Sequence, residues 1–257
     1  MKKLYIFFFS AFFFSINICA YSQGKIYLTS GAETIFSVGQ LDYTQAFINE
    51  NPGVDIVKQP LRFTSFFHIG EFVHLNLTNN IGLFSGFGLR NIGMISDEVL
   101  PDEVGSDNYV NTKIIRRAYT AGIPLAVKLG SFKDHFFVYA GGEYEYAFHM
   151  KEKYWDDHNR KGDKIKNTIW MPEQITTVLP SAFIGVQLPK GLNVKLKYYF
   201  EDFLNHEYIT NKTGLTGVVS DLTKYRSSKV VYIAISWQIK NAYKNKFKPG
   251  GEVATLL

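Results

Sequence analysis

Cysteine is almost missing from this chain: its 257 residues include one, Cys19. Once the first segment is removed, a disulfide scaffold, a Cys-ligated metal and a thiol nucleophile are all excluded. Long apolar runs are missing too. Past residue 20, no stretch reaches the roughly 18 apolar residues of a transmembrane helix. The mean hydropathy of −0.07 excludes a polytopic helical membrane protein. Hydrolase signatures are also absent. There is no G-x-S-x-G elbow and no His-x-Ser pair on one strand face, and the six His are scattered. What is present is 46% hydrophobic residues, enough for a core and too many for general disorder.

Residues 1–22 read as a secretory signal peptide. Lys2 and Lys3 precede a Phe-dense run from Leu4 to Ile16, and Ala20-Tyr21-Ser22 places small residues before a cut at Gln23. A retained anchor helix and a lipoprotein built on Cys19 are the alternatives. The first is short for a span, and Ile18 stands where a lipobox takes a small residue. Cleavage lowers the formal charge from +5 to +3.

The remainder alternates with the two-residue period of strands, whose successive side chains point to opposite faces. Leu192, Val194, Leu196, Tyr198 and Phe200 oppose Asn193, Lys195, Lys197, Tyr199 and Glu201. Val231, Ile233, Ile235, Trp237 and Ile239 share one parity, and so do Tyr119, Ala121, Ile123, Leu125, Val127 and Leu129. Comparable patterning at 26–38, 60–77, 81–95, 136–150 and 174–188 gives eight strands in all. Most exceed the roughly 5–6 residues usual in soluble sheets and suffice for a tilted membrane strand. Long connections (39–59, 96–113, 151–173, 202–228) alternate with short ones (78–80, 131–135, 189–191). Antiparallel neighbours then gather all long loops at one end. The pattern predicts an all-β fold, an eight-stranded antiparallel up-and-down transmembrane β-barrel over 23–239. A basic, disordered periplasmic tail over 240–257 follows. A soluble periplasmic ligand-binding barrel with its apolar face inward is the competing architecture.

The strand Gly31-Ala32-Glu33-Thr34-Ile35-Phe36-Ser37, the stretch Gly122-Ile123-Pro124-Leu125-Ala126-Val127-Lys128 and Gly141-Gly142-Glu143 resemble the PorT-like small outer-membrane β-barrel proteins. The resemblance covers nearly all of the mature chain. It implies an outer-membrane barrel, with some members associated with protein secretion. The chain departs from many such barrels at its end, since residues follow both candidate terminal aromatics, Trp237 and Phe247.

Eight strands leave an interior just wide enough for side chains, which disfavours a diffusion porin. The inner parity carries Glu33, Glu143, Glu145 and Glu201 against Arg62, Arg90, Arg116, Lys128, Lys195 and Lys197, with His68, His74 and His149 beside them. Charges away from bulk water need partners, so these predict an interior ion-pair plug. The excess of bases leaves room for a bound anion. Glu71 shares its parity with the lipid-facing Ile69 and Val73 and is a misfit. The acidic run Asp97, Glu98, Asp102, Glu103 and Asp107 reads as a solvated loop without calcium-loop spacing. No metal site or cofactor is expected. Tyr154, Trp155, Arg160, Lys161, Lys164, Lys166 and Trp170 are candidate surface-loop contacts, for anionic lipid or a protein rather than nucleic acid. The expected function is non-enzymatic: structural or surface-binding, with outer-membrane lipid and envelope proteins as partners, or a component of an envelope or secretion assembly. A lipid-modifying hydrolase or acyltransferase is the second reading. It requires a Ser hydroxyl and a His ring in hydrogen-bond reach at the rim.

Overall fold

The computed structural model describes residues 25–155 and 160–240. The segments expected to be a signal peptide (1–22) and a tail (beyond residue 240) lie outside the described residues. The order is β1 (Lys25–Tyr43), α1 (Gln45–Glu50), β2 (Asp55–Lys58), β3 (Arg62–Thr64), β4 (Ile69–Asn76), β5 (Ile81–Pro101), β6 (Tyr109–Ser131), β7 (Phe136–Trp155), β8 (Lys164–Trp170), β9 (Val178–Gln187), β10 (Leu192–Tyr199), α2 (Gly214–Ser220) and β11 (Tyr225–Lys240). Antiparallel pairing runs β1-β4-β5-β6-β7-β9-β10-β11, and β11 returns to β1 along a fifteen-pair register from Thr29↔Lys240 to Tyr43↔Tyr225. The ring is therefore closed: an eight-stranded antiparallel up-and-down transmembrane barrel. Closure leaves no edge with unpaired backbone groups, as lipid requires.

Parity decides which face each residue takes. On β6, Ile123, Leu125, Val127 and Leu129 are exposed, while Ala126 and Lys128 are buried. On β10 and β11, Leu196, Tyr198, Val231, Ile233, Ile235 and Trp237 point out. From Leu129 to Tyr119 the outward stripe of β6 is ten residue steps long. At about 3.4 Å per step and the usual tilt it stands about 26 Å tall, matching the ~25 Å apolar band of membrane barrels.

The turn end holds the connections 77–80, 132–135 and 188–191; the last turns tightly because Gly191 takes φ +93. At the loop end the expected connections are shorter than the sequence suggests. β5 and β6 continue to Pro101 and from Tyr109, so the segment 96–113 is mostly a paired hairpin. Likewise 151–173 is largely the β7–β8 ladder, from His149↔Trp170 to Trp155↔Lys164. Strands thus project beyond the apolar belt as a tall extension. α2 and the 200–224 segment pack into it, burying Val218, Val219, Leu222, Phe203 and Leu204 with Leu41, Leu100 and Ile114. At the turn end the interior is an aromatic cluster of Phe72, Phe84, Phe137, Tyr139 and Phe183.

Candidate functional site

Between these two cores lies a neutral cluster of six charges. Glu33 Oε2 accepts from Arg90 Nε at 3.1 Å and its Oε1 from Lys195 Nζ at 2.6 Å. Arg90 also donates to Glu143 and, at 3.2 Å, to Glu145. Lys197 Nζ donates to Glu143 at 2.8 Å and to Glu145. The remaining oxygen of Glu145 accepts from Thr120 at 2.7 Å and Tyr199 at 3.0 Å. Four strands and β1 supply these groups from inward positions, and backbone absence makes room for them. A Cβ on Gly122 would strike Glu143 and come within 2.7 Å of Glu145.

The structure distributes the other sequence-predicted charges differently. Arg116 belongs to a second cluster in the loop-end extension, donating to Glu152 at 2.9 Å and lying 3.7 Å from Glu98. Tyr43 and Tyr225 hydroxyls also donate to Glu98. Lys224 caps α2 here, donating to the carbonyls of Val218, Val219 and Asp221. Burial pushes the Lys224 ammonium down to about 7, assisted by Arg116 and opposed by Glu98 and Glu152. Lys128 sits at the turn end, donating to Tyr27 at 3.0 Å and Asn76 at 2.7 Å.

Several expectations need correction. Glu201 is exposed, because β10 ends at Tyr199 and parity no longer carries past it. Arg62 is buried but joins no carboxylate among the described residues; it donates to the Asn91 carbonyl and side chain across the β3–β5 seam. His149 faces outward. Tyr119 pairs with His149 and Thr120 with Ala147, so Phe148 is an extra residue, a bulge that inverts the parity of β7. The same bulge sends Glu152 inward, where the sequence reading had no acid. Glu98 is fully buried and Asp97 nearly so, the latter accepting from Lys113 at 2.6 Å. Glu98 points into the barrel, Asp97 takes the opposite parity beside Lys113 where β2 pairs with β5, and neither is part of a solvated loop. With Glu98 and Glu152 gained and Glu201 lost, five acids face the six predicted bases, which narrows the excess that suggested a bound anion. Tyr154 and Trp155 are buried, Tyr154 bonding Thr216 at 2.5 Å, so neither is a surface contact. Arg160, Lys161, Lys164, Lys166 and Trp170 are exposed. Glu71 is exposed on the outward face, in register with Ser30 and Phe87.

A Ser–His pair does occur at the loop end. His206 Nε2 is 2.8 Å from Ser228 Oγ, and Asp202 is near. Yet Ser228 is 0% exposed. Its Oγ accepts from the Leu204 amide, and Asp202 caps the Ser228 amide at 2.6 Å. The arrangement ties the 200–208 segment to β11. Among the described residues no group of three or more His, Cys, Asp or Glu is placed to hold a metal.

No protein-family model and no curated protein matches the chain in sequence. Similar solved structures are outer-membrane proteins. Neisserial surface protein A shares 7% identity at a TM-score of 0.38, over 84% of this chain and 99% of that one. Ail of Yersinia pestis, solved with the heparin analogue sucrose octasulfate, shares 11% at 0.33, over 84% and 99%. OprG of Pseudomonas aeruginosa shares 11% at 0.33, over 83% and 95%. Likeness this remote adds no argument to the barrel that strand pairing already defines.

Proposed function

We propose that this is a non-enzymatic outer-membrane protein: a barrel with a solid interior that anchors a surface-exposed binding extension. One observation carries the reading. Every strand of the ring carries an outward apolar stripe, interrupted at Glu71 and giving way to cations beyond the belt on β6 to β8, while the interior holds a charge-balanced, hydrogen-bonded cluster between two packed cores. A soluble barrel would invert that polarity. A general porin would leave an aqueous lumen, which eight strands do not provide. The loop end, with its projecting hairpins, faces outward from the cell, as long loops do in such barrels. The role that follows is structural or surface-binding, as a component of an envelope assembly. A link to secretion is what the PorT-like resemblance implies.

The His206–Ser228 contact is the observation favouring a hydrolase. Burial of Ser228 opposes it, because a nucleophile must reach a substrate carbonyl.

The test is labelling in intact cells. A cysteine placed at Asp107 reacts with a membrane-impermeant maleimide, and one at Asn79 does not. The protein fractionates with outer membranes and migrates differently on gels before and after boiling. A reversed labelling pattern, or recovery in the soluble periplasm, contradicts the reading. Labelling of Ser228 by a fluorophosphonate would revive the hydrolase.

A further inference from the structure

At outward positions of β7 and β8 every charged side chain is a cation. Arg117 of β6 lies in register with Lys151, and Lys153 with Lys166; Lys164 follows opposite Trp155. Arg62 is within electrostatic reach of Arg117. Among the described residues Arg117, Lys151, Lys153, Lys164 and Lys166 form no ion pair. Arg117 Nε is shielded from water and has no hydrogen-bond partner. Lys166 lies close enough to Lys151 for the two charges to repel. Burial, then the charges of Lys166, Arg117 and Lys164, push Lys151 below the ordinary lysine range, and similar surroundings lower Lys153. Like charges gathered without a counter-charge destabilise the fold that holds them. The face is therefore built for an anion.

Its height says which anion. Immediately toward the belt, Tyr119, His149 and Trp170 form a ring cluster, with centroids 5.1 Å and 4.6 Å apart. Phe148 stacks on Trp170. Outward Tyr and Trp mark the boundary between hydrocarbon and head groups. Arg117 and Lys151 stand two residues beyond it, about 7 Å along the strand. The bulge at Phe148 creates this alignment, since without it Lys151 and Lys153 would face inward.

We propose that this face binds the phosphate groups of anionic outer-leaflet lipids. The inference rests on the membrane reading above. The surface is a flat strand ladder continuous with the apolar stripe of Ile123 and Leu125, not a pocket. An anion carried on acyl chains therefore fits it better than a free one. The cations meet the phosphates while the chains lie along the stripe.

The test uses the mature full-length barrel in phosphatidylcholine nanodiscs with a minor fraction of phosphatidic acid, the lipids retained being counted by native mass spectrometry. Wild type retains phosphatidic acid preferentially. The variant R117Q/K151Q/K153Q/K166Q loses that preference, on the order of fivefold per cation removed. A control, K133Q/K190Q at the turn end, keeps it. If the quadruple variant fails the heat-migration test for folding, K151Q and K166Q singly provide the readout. Equal retention by wild type and variants overturns the proposal. Displacement of the lipid by inorganic phosphate also overturns it, in favour of a free-anion site. A wild-type protein that does not stay in nanodiscs at all instead refutes the membrane reading itself.

Discussion

Replacing Lys197 with Met tests the interior cluster most sharply. Lys197 is fully buried and donates to both Glu143 and Glu145. Met nearly conserves volume, so cavity effects stay small. The cluster holds three cations, Arg90, Lys195 and Lys197, against Glu33, Glu143 and Glu145. Without Lys197, two carboxylates share Arg90 and the cluster carries one net negative charge. Stranding a buried charge costs about 3–5 kcal/mol. Out of a typical total of about 5–15 kcal/mol, that is a large fraction. Glu145→Gln leaves the opposite imbalance and a similar loss. The double variant restores neutrality, and its Gln amide can still accept from Thr120 and Tyr199. Independent sites would lose about 6–10 kcal/mol in sum, whereas coupled ones lose no more than either single change. Urea unfolding in phospholipid vesicles, followed by heat-dependent migration, measures all three. Single losses below about 1 kcal/mol, or a double loss equal to the sum, would refute the network.

Two further outcomes follow from named residues. Glu71→Leu removes a carboxylate from the lipid-facing stripe and raises the same unfolding midpoint, by on the order of 1 kcal/mol; a loss of stability would mean that Glu71 faces a protein partner. Lys224 gives a pH signature. Its folded value of about 7 lies below the ordinary 10.5, so between those limits the unfolded chain binds the proton and the folded chain does not. Stability relative to Lys224→Met therefore rises with pH across that window, by at most about 1.4 kcal/mol per unit, and is flat below it. A flat difference from pH 7 to pH 10 would show that Lys224 stays charged when folded.

Much of the barrel was legible because period-two patterning is local. The parities of 114–130, 192–199 and 229–239 each choose a face without knowledge of their neighbours. Lys195, Lys197, Glu143 and Glu145 were readable as inward for that reason. The errors arise where a local rule is interrupted by pairing. The bulge at Phe148 exists only in the β6–β7 register, and it moves His149 out and Glu152 in. Glu201 follows the parity of its strand, but the strand has ended. Glu98 reads as a solvated acid because the hairpin that buries it is closed by distant partners, Tyr43, Arg116 and Tyr225. Tyr154 and Trp155 look like loop residues until α2 and β8 cover them. The basic outer face was half visible, as lysines in a loop. Its alignment with Arg117 needed the bulge.

The central claim is a membrane barrel with lipid outside and no water path inside. Spin labels on single cysteines along 192–199 test both halves, since Cys19 is the chain's one native cysteine. Labels at Val194, Leu196 and Tyr198 in vesicles are relaxed by oxygen dissolved in the hydrocarbon, and labels at Asn193, Lys195 and Lys197 are reached neither by oxygen nor by an aqueous nickel chelate. Nickel access at positions 195 and 197 would reveal a water-filled lumen, and oxygen access in the opposite phase would turn the barrel inside out.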